Sequence, residues 1–115
     1  MGYYTDYTLK VYNEKGELIL RNEKEFKEVE KVFIEITQFT SEDFDDLYYG
    51  VNWKWYEAPS DVKELASRFP SYYFILEGVG EERDDWWVRA YHNDQYFERY
   101  VTPPSNCFDD YWNIE

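Results

Sequence analysis

His92 and Cys107, the single histidine and the single cysteine, are the chain's whole supply of imidazole and thiol chemistry. A nucleophilic thiolate needs a neighbouring base, and the sequence around neither residue resembles such a setting. They read as a turn histidine and a packed thiol. Gly78-Val79-Gly80 has two glycines of a phosphate-cradling loop but no third glycine and no Lys-Ser/Thr ending, and acids follow it directly. It reads as a flexible bend between two strands. Asp43-Phe44-Asp45 starts as a calcium loop would, yet Tyr48 stands at the sixth position, where that turn needs glycine. With 25 Asp and Glu in the chain, carboxylate pairs at the ~5–9 Å used in glycoside hydrolysis arise by coincidence. No catalytic residue, metal or cofactor is expected.

The acids as a population are more informative. Lys and Arg number 12 against 25 Asp and Glu, a net charge of −13. Binding to nucleic-acid phosphates draws on counterion release at a basic surface, so direct nucleic-acid binding is disfavoured. Such charge often marks disorder. Here 5 Trp, 13 Tyr and 8 Phe, 23% of residues, supply too much buriable surface for a solvating tail. A length of 115 residues makes one domain, 1–115. No basic leader with an apolar stretch opens the sequence, no membrane-length apolar run occurs, and a lone cysteine suits a reducing compartment. A cytoplasmic protein without membrane contact is expected.

These side chains need elements to hold them. Thr5–Tyr12 alternates, with Tyr7, Leu9 and Val11 opposite Asp6, Thr8 and Lys10, the period of a half-buried strand. Asn13-Glu14-Lys15-Gly16 is turn chemistry, after which Leu18-Ile19-Leu20 returns as a short arm or leads into a helix. Asn22 and Glu25 form an approximate capping box, and Phe26, Val29, Phe33 and Ile36 predict a helix over 23–36. Glu42, Asp43, Asp45 and Asp46, crowded around Phe44, read as an exposed acidic loop. Val51, Trp53 and Trp55 form the tryptophan face of a second strand. Val62, Leu65, Ala66 and Phe69 stripe a short helix introduced by Pro59-Ser60 and ended by Pro70. Tyr72–Leu76 is apolar throughout, as in a central strand covered on both faces. Trp86–Tyr91 alternates again, and Asn93-Asp94 turns it into a hairpin with Tyr96–Val101. Pro103-Pro104 stops the sheet before an acidic, aromatic tail at 102–115. The order predicts an α+β sandwich, one largely antiparallel sheet with two helices on one face. The opposite face is left to carry many aromatics toward solvent, a partner or the tail.

Lys54-Trp55-Tyr56, Asp61-Val62-Lys63-Glu64-Leu65, Phe69-Pro70, Leu76-Glu77-Gly78-Val79-Gly80-Glu81-Glu82 and Asp85-Trp86, ending in the Tyr91/Asn93 hairpin, resemble a family of small phage and mobile-element proteins. Met1-Gly2-Tyr3-Tyr4-Thr5 is similar too. The resemblance covers mainly residues 53–100 and implies a ferredoxin-like fold with no assigned activity. The chain departs from it at Val79, at Asp84 and at Asp94-Gln95, where the family carries an acid, a glycine and basic residues. These departures raise the acidity.

A domain of this size has a radius of gyration of about 13 Å and a diameter of roughly 34 Å. That length of duplex carries about 20 phosphates. The 25 carboxylates are comparable in number, so a protein built to grip DNA would feel a similar field. The expected function is a non-catalytic, phage-type acidic inhibitor that mimics nucleic acid in the basic groove of a nuclease or other host-defence protein. Its expected contacts are Glu42, Asp43, Asp45, Asp46, Glu81, Glu82, Asp84 and Asp85, with Trp53, Trp55 and Trp87 as aromatic anchors. The competing readings are acidity for solubility with core tryptophans, an aromatic carbohydrate- or protein-binding face, and assembly through a sheet edge.

Overall fold

The computed structural model describes residues 4–81, 85–93 and 95–100. Alternation places the strands. In β1 (Thr5–Tyr12), Tyr7, Leu9 and Val11 are buried while Asp6 is exposed and Thr8 and Lys10 are half-buried. A turn at Asn13–Gly16 leads to a single bridge, Tyr12 to Leu18, and delivers the buried Ile19 to the core.

Helix α1 (Lys24–Thr37) buries Phe26, Val29 and Phe33. The expected Asn22/Glu25 capping box does not form: the N-cap is Glu23, and no side chain caps that end. Gln38, in the left-handed region at φ 67°, closes the helix by donating its N–H to the Ile34 carbonyl at 2.8 Å.

The stretch expected as an acidic loop is a second helix, α2 (Ser41–Tyr49). Thr40 and Asp43 make a reciprocal capping box, with Thr40 N–H to Asp43 Oδ2 at 3.0 Å and Asp43 N–H to Thr40 Oγ1 at 3.1 Å. Glu42 and Asp43 lie in the first turn, where negative charge stabilises the helix dipole. Phe44 and Leu47, three residues apart, supply the buried stripe. Acidity favoured this helix end where the sequence reading took it as a mark of a loop.

After β2 (Val51–Trp53) comes α3 (Ala58–Arg68), which buries Ala58, Val62, Leu65 and Ala66. Strands β3 (Tyr73–Gly80), β4 (Trp86–His92) and β5 (Gln95–Tyr100) follow. The β4–β5 turn matches expectation: Asn93 has φ 59°, and His92 pairs with Gln95. Asp94 and the 102–115 tail lie outside the described residues.

The sheet order is β2-β1-β3-β4-β5, antiparallel at every pairing. The architecture is α+β as expected, with three helices among the described residues in place of two. The element order, β-α-α-β-α-β-β-β, also differs from the β-α-β-β-α-β order of a ferredoxin-like unit.

β3 holds the middle of the sheet but is not covered on both faces. Phe74, Leu76 and Gly78 are buried, whereas Tyr73 and Val79 are exposed on the other side. Gly78 and Gly80 are strand residues, not a flexible bend. A Cβ at Gly78 would overlap the Trp87 indole, so glycine is there to admit that ring.

Candidate functional site

α2 organises the first acidic group. At 100° per residue, Glu42 and Asp46 share one exposed ridge, Asp43 and Asp45 flank it half-buried, and Phe44 and Leu47 point inward. Asp43 is held by the capping box. Asp45 accepts from Arg21 Nη2 at 2.8 Å, and this guanidinium holds its carboxyl below the ordinary range. Charge alone did not reveal that Asp43 and Asp45 have structural work while Glu42 and Asp46 face solvent.

The second group sits where β3 leaves the sheet. Glu81 is exposed and its Oε2 accepts the Tyr4 N–H at 2.6 Å. Asp85 is half-buried, and its carbonyl accepts the Gly80 N–H at 2.7 Å. Glu82 and Asp84 lie outside the described residues, as does Cys107. His92 donates Nδ1–H to the Tyr72 carbonyl at 2.9 Å and stacks on Tyr73 with ring centroids 4.0 Å apart, so it braces the end of β3.

The three tryptophans do not share a presenting face. Trp55 is 4% exposed: its Nε1–H donates to Asp61 Oδ2 at 2.8 Å, and its carbonyl accepts the Tyr7 hydroxyl at 3.0 Å. Burial raises the Asp61 pKa, and the Trp55 N–H opposes that rise. Trp87, 7% exposed, lies over Gly78 and against Tyr7. Both are core residues in this structure, which removes them as surface anchors. Trp53 is half-buried at the β2 edge, with its ring 5.1 Å from Phe39 and 5.8 Å from Trp55.

Pairing of β1 with β2 and β3 brings the N-terminus of α2, with Asp43, near Tyr4, the residue that Glu81 holds, whereas Asp45 reaches away to Arg21. Thr5 pairs with both Trp53 and Gly80, which sets Tyr4 between the α2 N-terminus and Glu81. Tyr4, Phe39, Asp43, Asn52, Trp53 and Lys54 line a groove of about 250 Å³ there. Tyr4, Phe39, Asn52 and Lys54 were not found from sequence, because their only signal is a strand pairing between distant segments. A larger hollow of about 740 Å³ lies between α1 and α2, but Arg21 and Lys27 line it, so it is not part of the acidic surface.

On the uncovered sheet face, the exposed aromatics are Tyr73 and Phe97, and Val79 is exposed toward the other end of β3. Tyr7, Phe26, Phe33, Phe44, Trp55, Phe74, Trp87 and Tyr91 pack in the core on the other side, and Phe39, Tyr48, Trp53, Phe69 and Tyr72 pack against it. The described residues contain no group of three His, Cys, Asp or Glu side chains placed to hold a metal, and no helix long and apolar enough to cross a membrane. No family model, curated protein or solved structure matches the chain.

Proposed function

We propose that this chain is a non-catalytic acidic binding protein that occupies the basic, nucleic-acid-gripping surface of another protein. The observation that carries this reading is the acidic ridge of α2, where Glu42 and Asp46 stand exposed on one helical face. Glu81 adds charge at the neighbouring end of the sheet, and the net charge of −13 supplies the long-range field that speeds encounter with a cationic surface. The phage-type resemblance makes a host nuclease or other defence protein in the cytoplasm the fitting target.

The test is capture by the tagged protein from bacterial lysate, with elution across a salt gradient, in parallel with Glu42→Lys/Asp46→Lys. Both side chains are exposed, but Glu42 supports the first turn of α2, so the circular dichroism spectrum of the variant is compared with that of the wild type to establish that α2 is kept. The reading expects a nucleic-acid-binding protein held by the wild type at low salt, released as salt rises, and not held by the variant. Retention that ignores both salt and the reversed charges would refute it.

A further inference from the structure

We propose that the groove between the α2 N-terminus and the β2 edge receives a cationic side chain, a guanidinium or an ammonium, from the basic partner; this rests on the acidic-binding reading above. The groove's walls are rings. Tyr4 is 42% exposed, Trp53 is half-buried against Phe39, and Asp43 stands half-buried at the rim. Aromatic faces beside a carboxylate attract cations through the ring quadrupole and the charge together. Glu81 strengthens this by fixing the Tyr4 backbone N–H and placing a second carboxylate beside that residue.

The molecule already seats a cation of its own here. Lys54 Nζ lies 5.5 Å from the centroid of the Tyr4 ring. Lys54 is exposed, and its flexible stem lets it leave when another cation arrives. It therefore acts as an internal competitor, and a partner's side chain would take its place on Tyr4.

The groove suits a sugar poorly, although it has the rings for one. Sugar recognition needs free donors and acceptors beside the stacking face. Asp43 Oδ2 is committed to the Thr40 N–H, and Asn52 Nδ2 donates to Asp6 Oδ1 at 2.7 Å. With Lys54 displaced, the groove offers ring faces and the charge of Asp43, whose Oδ2 alone is committed, and a cation uses both.

The experiment is calorimetric titration of a tetra-arginine peptide into the full chain at about 50 mM salt. Tyr4→Ala keeps the backbone bond to Glu81 and should weaken binding about two- to fivefold, the size of an exposed cation–π contact. Lys54→Gln should tighten binding. Lys15→Gln, the same charge change at the Asn13–Gly16 turn, controls for the general field and should tighten it less. Unchanged affinity in Tyr4→Ala, or equal gains in Lys54→Gln and Lys15→Gln, overturns the proposal. Salt-sensitive binding that ignores Tyr4 and Lys54 leaves the acidic-binding reading standing without this groove; failure of the peptide to bind any form removes both. Binding of a neutral chitooligosaccharide that is lost in Tyr4→Ala would overturn the cation assignment in favour of a sugar.

Discussion

Replacing Gly78 with alanine tests the packing at the centre of the sheet. Gly78 pairs with Tyr7 on β1 and Trp87 on β4, and the Trp87 indole lies across it. Gly78 is not among the residues with positive φ, so the effect is steric and not conformational. Two responses are open. If Trp87 swings out to solvent, it forfeits burial of about 150–250 Å², worth roughly 4–6 kcal/mol at ~25 cal/mol per Å². If Trp87 stays and the strands shift, the cost is that of an overpacked core, about 1–3 kcal/mol. The second is cheaper and should dominate, so Gly78→Ala is expected to lose about 2–3 kcal/mol, with Tm falling by roughly 10 °C or more. Urea unfolding of Gly78→Ala, Trp87→Leu and the double variant measures this. Removing the indole creates room for the added methyl, so the two changes should be non-additive by about 1 kcal/mol or more. A loss below about 0.5 kcal/mol, or additive effects, would refute the claim that glycine is needed to admit the ring.

Tyr91→Phe should stabilise the fold by about 1–2 kcal/mol in urea unfolding, because the Tyr91 hydroxyl is buried with no hydrogen-bond partner among the described residues. A loss of stability would mean that the hydroxyl is satisfied. Burial pushes that hydroxyl from 10.0 up to about 12, so the fold favours its neutral form. Its contribution is then fully present below pH 10 and declines between about 10 and 12, so the alkaline decline should be shallower in Tyr91→Phe, with the part from the raised Tyr7, Tyr72 and Tyr96 remaining. Thr40→Ala should cost about 1 kcal/mol and raise amide exchange within α2, and unchanged exchange would dismiss the capping box as a stabilising contact. Asp45 is held below its ordinary value of 3.8 by Arg21, so its contribution is present above that value and lost as pH falls through the lower folded one. Arg21→Ala should flatten this acid limb of the stability curve; identical limbs would show that the pair has no effect.

The parts of the fold that could be read from sequence are those with strong local periodicity. β1 alternates cleanly, α3 carries its stripe between two prolines, and Asn93 stands where the β4–β5 turn needs a left-handed residue. α2 was missed because four acids in five residues outweighed Phe44 and Leu47, although Thr40 and Asp43 have the spacing of a capping box. The burial of Trp55 could not be read from strand parity, since β2 ends at Trp53 and the chain turns inward beyond it. Gly78 showed only as a break, because the ring that explains it lies on the next strand. The acidic residues themselves were legible, but their division into structural and free ones depends on Arg21, Thr40 and Tyr4. The groove depends on Tyr4, Asp43 and Trp53 meeting through a pairing that no local pattern encodes.

The placement of β1 between β2 and β3 also sets an order of events in folding. Thr5 must find Trp53 on one side and Gly80 on the other, whereas β3, β4 and β5 follow one another as a meander joined by short connections. Closing long loops before their contacts reward it is slow, so the meander should form early and β1 should dock late, in a milliseconds-to-seconds process typical of non-local sheets. During synthesis β1 is thus made before both strands it pairs with and is satisfied late. Its Tyr7, Leu9 and Val11 face must wait for more than sixty further residues, which makes this segment the one that benefits most from a chaperone's cover on the ribosome.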